Sequence, residues 1–288
     1  MKTSVSSYSF SSYMRSSGAN QLDIMVLAKE MGFDAIEMTD FDAPDSMTKE
    51  EFAQLLREES ERLSLPIVNY TVGADLLNAP DLSQEVDRLC AQVRVAEILG
   101  AGGMRHDAAG GWRNNFRCYK TFDSALPILA EGCRRVTEYA AERGIVTMVE
   151  NHGQFCQEST RVEKLVGAVD HSNFGLLVDV GNFLCADEPS VAAVSRVAPF
   201  ARHVHVKDFH VKSGVEPDPG RGFFGTRGGN RLRGAILGHG NVPVLQCLRI
   251  LRDHGYDGFV SIEFEGIEEN LPALEISLEN LKSYLSML

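Results

Sequence analysis

The feature that most constrains this chain is a regular alternation of short runs with strand character and longer segments with helical periodicity. Strands are predicted over residues 2–10, 33–38, 66–72, 102–107, 145–150, 174–179, 203–208 and 259–264. Helices are predicted over 21–31, 48–63, 81–99, 123–143, 161–169, 190–197, 244–254 and 270–285. The punctuation agrees: Gly32, Gly100 and Gly144 stand where helices should stop, and Thr48-Lys-Glu-Glu51 has the form of a capping box. Eight alternating units imply parallel pairing and an α/β architecture, a (β/α)8 TIM barrel. A doubly wound open sheet is disfavoured, because no Gly-x-Gly-x-x-Gly turn follows the first strand. Residues 28–37 and 251–263 echo one another, each reading as a helix end, a glycine cap and a strand ending in glutamate.

At 288 residues the chain fits a single barrel domain, 1–288, since such barrels run to about 250 residues. The one composition shift, a Gly- and Arg-rich stretch at 211–240, lies between the seventh strand and its helix. It is read as an irregular loop insertion over the C-terminal face. A net charge of −12 argues against a nucleic-acid partner, which needs a basic footprint. No apolar run approaches the roughly 20 residues that span a bilayer, so no membrane partner is expected. Six cysteines lack a CxxC pair, and the Ser-rich start lacks a leader pattern. Together these lead to the expectation of a reduced, cytoplasmic protein.

The seventh strand, His203-Val-His-Val-Lys-Asp208, alternates strictly and turns His203, His205 and Lys207 to one face. In a covered parallel strand that face must point inward. Barrel active sites gather at the C-terminal ends of the strands. There the fifth strand ends in Glu150, the sixth in Asp179 and the eighth in Glu263, and the seventh carries His205. One such residue alone is commonly a rim or hydrogen-bonding group. Three carboxylates brought together without a counter-charge repel strongly, and a divalent cation removes that penalty. One imidazole with three carboxylates is a mostly oxygen site, suited to one Mn2+ or Mg2+, with Co2+ or Zn2+ as further options.

These motifs, Glu150-Asn-His, Asp179-Val-Gly-Asn, His205-Val-Lys-Asp and Ser261-Ile-Glu263, resemble those of the xylose isomerase-like TIM barrel superfamily. The likeness is to its sugar (phosphate) isomerase/epimerase branch, which includes ketose 3-epimerases and inosose dehydratase. The resemblance covers essentially the whole chain. It implies a small-molecule carbohydrate substrate and an assembly into homo-oligomers, dimers or tetramers. It also implies that Glu150 and Glu263 bind metal and act as acid and base on opposite faces of the substrate. The chain departs from the pattern at Asn182, where many relatives have histidine, at Val211 in place of an arginine, and at Cys156 in place of a glutamate.

Further substrate-binding candidates carry open alternatives. His152 has the strand parity of Glu150 and reads equally as a rim residue. Lys207 could stabilise an oxyanion or pair with a carboxylate. His106, in Arg105-His106-Asp107, could be an acid/base or a sugar contact. Asn182 follows the sixth strand, and Glu37 is either substrate-proximal or a buried polar partner. Arg221, Arg227, Arg231 and Arg233 could bind an anion or another subunit, or simply be solvated; Trp112 and Phe116 could wall a sugar ring or pack their loop. The leading expectation is a metal-dependent sugar or polyol isomerase/epimerase working through an enediolate. The alternative is a lyase or dehydratase on the same site, inosose dehydratase-like or cleaving a C-glycoside or 3-keto sugar. An abasic-site endonuclease and a barrel without catalysis rank below both.

Overall fold

In a computed structural model that describes residues 1–113 and 120–288, eight parallel strands close into a barrel in chain order. Phe116 and Cys118 lie outside the described residues. The barrel strands are β1 (Lys2–Ser6), β2 (Ala35–Thr39), β3 (Ile67–Val72), β4 (Gly103–His106), β5 (Val146–Glu150), β6 (Phe174–Asp179), β7 (Ala201–Val206) and β11 (Phe259–Ile262). Closure is made by β1, which pairs with both β11 and β2. The outer layer comprises α1 (Ser11–Ser17), α2 (Gln21–Met31), α3 (Lys49–Leu63), α4 (Leu82–Leu99), α5 (Phe122–Ala141), α6 (Ser159–Val169), α7 (Ser190–Val197), α8 (Val244–Asp253) and α9 (Asn270–Ser286).

Local signals end these helices where the sequence places them. The Thr48 hydroxyl accepts from Glu51 N–H while the Glu51 carboxylate accepts from Thr48 N–H, the reciprocal capping box that opens α3. Gly32, at φ 88°, caps α2 in a left-handed conformation that a side chain would strain.

Strand alternation separates two interiors. Apolar residues such as Val5, Met38, Val149, Val178 and Val204 are fully buried in the main apolar core. Residues of the opposite parity fill the barrel, and many are polar: Ser4, Glu37, Asn69, Arg105, Glu150, Asp179, His203, His205 and Ser261 are all buried. So polar an interior is an expensive core unless its groups pair with each other or with a ligand. Among the described residues, no helix is long and apolar enough to cross a membrane.

Two expectations need correction. The first strand stops at Ser6, and Ser7–Phe10 forms a 3-10 turn leading into α1, a helix the sequence pattern did not signal. The stretch after β7 is not irregular. Its strands β8 (Asp208–Lys212), β9 (Phe224–Gly225) and β10 (Arg231–Ala235) form a small sheet in the order β8-β10-β9, antiparallel at both junctions.

Candidate metal centre

Four adjacent strands deliver the central side chains. Asn151 holds β5 and β6 abreast: its Oδ1 accepts from Asp179 N–H at 2.9 Å and its Nδ2 donates to the Asp179 carbonyl at 2.8 Å. Gly181 lets the chain turn tightly after β6, since a Cβ there would lie 2.6 Å from the Lys207 carbonyl oxygen. Asp179 Oδ1 accepts from Gly181 N–H at 2.8 Å and Asn182 N–H at 3.0 Å. Its Oδ2 is buried and has no hydrogen-bond partner among the described residues.

One ligand atom each from Glu150, Asp179, His205 and Glu263 lies within 4.8 Å of all the others. His205 Nδ1 is 3.2 Å from Glu263 Oε2 and 3.9 Å from Glu150 Oε1. Burial pushes Asp179 up to about 7, Lys207 opposes this, and Glu150 and Glu263 add to it. Burial alone would push the His205 imidazole down; Glu37 and Glu263 outweigh it and hold the ring well above the usual histidine range. A crowded carboxylate set with a buried oxygen that lacks a hydrogen-bond partner, and has only Lys207 Nζ at 3.6 Å, suits a divalent cation. The residues therefore fit a divalent ion, and the donors are mostly oxygen.

Above these groups opens a cavity of about 360 Å³, within the range of small-molecule sites. Tyr8, Asp40, Arg105, His152, Lys207 and Glu265 are among its lining residues, together with Glu150, His205 and Glu263. A larger cleft of about 530 Å³ at Tyr13, Asn270 and Glu275 has no histidine or basic side chain in its lining.

Of the substrate contacts expected from sequence, His152 and Lys207 line the cavity; Glu37, His106 and Asn182 do not. Glu37 is fully buried, with its oxygens taken by His205, His203 and Asn69. His106 is also fully buried and faces α4, where Arg88 and Glu85 are its charged neighbours; burial holds its ring below the usual value. Asn182 works within the protein: its Nδ2 donates to Glu150 Oε1 at 2.9 Å, and its Oδ1 accepts from Lys207 Nζ at 3.3 Å. Cys156 is buried, and its thiol is pushed up to about 12 by that burial.

Arg105 has a place that sequence reasoning passed over. Its guanidinium lies 2.7 Å from Glu150 Oε2 and 2.8 Å from Asp107 Oδ1, and Asp107 Oδ1 in turn lies 2.9 Å from His152 Nδ1. Lys207 Nζ is 3.0 Å from Glu263, 3.5 Å from Glu265 and 3.6 Å from Asp179. Three of the four arginines after β7 are paired within the chain: Arg227 with Glu158, Arg231 with Asp218 and Arg233 with Glu268.

Comparison with known proteins adds a sequence-level finding. The family model described as xylose isomerase-like TIM barrel matches residues 25–284. The inosose dehydratase of Clostridium perfringens is 25% identical over 138 residues, covering 48% of this chain and 46% of that protein. The chain thus spans about half the length of the curated relatives it first matches. Among solved structures, the probable 3-DHS dehydratase AsbF of Bacillus anthracis aligns with a TM-score of 0.75 at 20% identity, over 98% of this chain and 99% of that one. The IOLI protein with a zinc atom aligns with a TM-score of 0.75 at 16% identity, over 100% and 99%. At these identities the two structures speak for the fold.

Proposed function

The chain belongs to the xylose isomerase-like TIM barrel family, and from that footing we propose that it is a divalent-metal-dependent isomerase or epimerase of a sugar or polyol. The observation that carries the proposal is the set Glu150, Asp179, His205 and Glu263, with ligand atoms within 4.8 Å of one another. These four would hold the ion, and their oxygen-rich character favours Mn2+ or Mg2+ over Co2+ or Zn2+. When bound, such an ion would supply Lewis-acid polarisation of substrate oxygen, which would acidify the neighbouring C–H.

The chain's own residues do the rest. One of Glu150 and Glu263 takes the carbon-bound proton, giving an enediolate, and the other returns a proton from the opposite side. Arg105 and Asn182 each hold one oxygen of Glu150, which fixes the carboxylate's direction. Lys207 stands beside Glu263 in the cavity lining, where an ammonium can also meet a substrate oxygen as negative charge develops. The neutral hydroxyls of a small carbohydrate suit a lining this rich in paired polar groups, and the relative named inosose dehydratase supports that substrate class.

A second reading, elimination, has an observation of its own. His152 lines the cavity and is held by Asp107, an arrangement suited to protonating a departing hydroxyl. One experiment separates the two. Mn2+-loaded protein is incubated with ketoses and keto-polyols in D2O. Deuterium entering an unchanged or epimerised sugar supports isomerase/epimerase chemistry; a new ultraviolet-absorbing enone supports the lyase. Glu150→Gln and Glu263→Gln should each lower kcat by about 10²–10⁴-fold. Full activity in both variants would sink the mechanism.

A further inference from the structure

His205 has two sides, and the metal centre uses only one. On the other side lies a second group of ligand-type atoms, from Glu37, His203 and His205, again within 4.8 Å of one another. We infer that Glu37 is a positioning residue for the metal centre: it accepts the Nε2 proton of His205 and so presents the Nδ1 lone pair to the ion. The inference rests on the metal-dependent reading above.

The geometry separates the two ring nitrogens. Nδ1 faces Glu263 at 3.2 Å and Glu150 at 3.9 Å, whereas Nε2 lies 2.8 Å from Glu37 Oε1. A histidine that ligates a metal is neutral, with one nitrogen bonded to the ion and the other keeping its proton. A carboxylate that takes this proton fixes both tautomer and ring direction. Glu37 occupies that position.

Glu37 is built for the task. It is fully buried, so its charge depends on internal partners. Its Oε2 accepts from Asn69 Nδ2 at 3.0 Å and lies 3.2 Å from His203 Nε2, which is itself 2.8 Å from Ser261 Oγ. The bond crosses the barrel interior, because β2 and β7 are separated by β1 and β11. His205 is in register with Ser261, Ser261 with Ser4, and Ser4 with Ala35. That row of small side chains leaves space for an imidazole to reach a glutamate three strands away. The second group is therefore a filled hydrogen-bond network, with each Glu37 oxygen already engaged.

Two measurements test this. In Zn2+-loaded wild-type protein labelled with 15N-histidine, two-bond 1H–15N spectra should show His205 protonated at Nε2 and metal-shifted at Nδ1; the reverse assignment would overturn the inference. In Glu37→Gln, Mn2+ affinity should fall by about 10–100-fold, with the melting temperature of the metal-free protein reported alongside to establish folding. A folded Glu37→Gln protein whose Mn2+ affinity lies within about twofold of wild type overturns the inference and leaves the metal-dependent reading standing. A second ion per chain that is lost in His203→Gln overturns it in favour of a second site. A wild-type chain that binds no divalent ion overturns both.

Discussion

Asp208 accepts four backbone N–H groups, two on each oxygen: Phe209 and Val242 on Oδ1, Gly238 and Gly240 on Oδ2, at 2.8–3.0 Å. It is 2% exposed, so removing the carboxylate would strand the N–H groups of the buried Phe209 and Val242, each costing on the order of 1–3 kcal/mol. Asp208→Ala should lower the unfolding free energy by about 3 kcal/mol in urea titrations; a change within about 0.5 kcal/mol, the size of ordinary surface effects, would refute that role. The motif His205-Val-Lys-Asp208 thus divides its labour, His205 and Lys207 facing the cavity while Asp208 ties down the loop beyond. The four grouped side chains were legible because each ends or occupies a strand on the same inward parity. Strand β4 was misjudged by one position. Gly103 marks the inward parity, since a Cβ there would meet Met148 and Asn69, and that parity selects Arg105 and Asp107 rather than His106. A glycine carries no chemistry, so it offered no motif to read.

The small sheet after β7 is held by side chains from other elements. Asp187 accepts from Thr226 Oγ1 and Asn230 Nδ2, both at 2.7 Å, and from Gly228 N–H, while Arg227 reaches Glu158 and the Gln154 carbonyl. No residue of 208–240 is in the described cavity lining. Arg227→Ala should therefore raise amide hydrogen exchange over 224–232 while leaving Mn2+ affinity within about twofold, the margin of a contact remote from the site; a larger affinity loss would place the sheet in the site. Burial pushes Asp187 up, but Thr226, Gly228, Asn230 and Arg227 outweigh it and hold the carboxyl below its usual value. A depressed carboxyl contributes stability that is present above the unfolded value near about 3.9 and is lost as pH falls through the folded one. Protection of 224–232, corrected for intrinsic rates, should fall over that acid window in wild type and stay flat in Asp187→Asn; matching profiles would contradict the assignment. This sheet was illegible in sequence for a physical reason. β9 has two residues, and of β10 only Leu232, Gly234 and Ala235 are buried, so these two strands have too little apolar alternation to give β8 visible partners.

At the scale of the whole molecule, the barrel was legible because eight units repeat one solution: an apolar strand face under an amphipathic helix. What the pattern could not give is the pairing inside the barrel, where Glu37 meets His205 across two intervening strands and Arg105 meets Glu150 from the neighbouring one. Those contacts depend on shear and side-chain length, which strand periodicity does not encode. Glu150, Asp179, His205 and Glu263 are proposed to form one divalent-ion site at the heart of this interior. Ligand binding to the native state alone stabilises it by about 2.7 kcal/mol at a hundredfold excess over Kd. The direct measurement is Mn2+ titration of chelator-stripped protein, followed by calorimetry and thermal melting, for wild type and Asp179→Ala. A site built by these four residues predicts one ion per chain with a raised Tm in wild type, both lost in Asp179→Ala. Absence of binding in wild type, or binding that Asp179→Ala leaves unchanged, would contradict it.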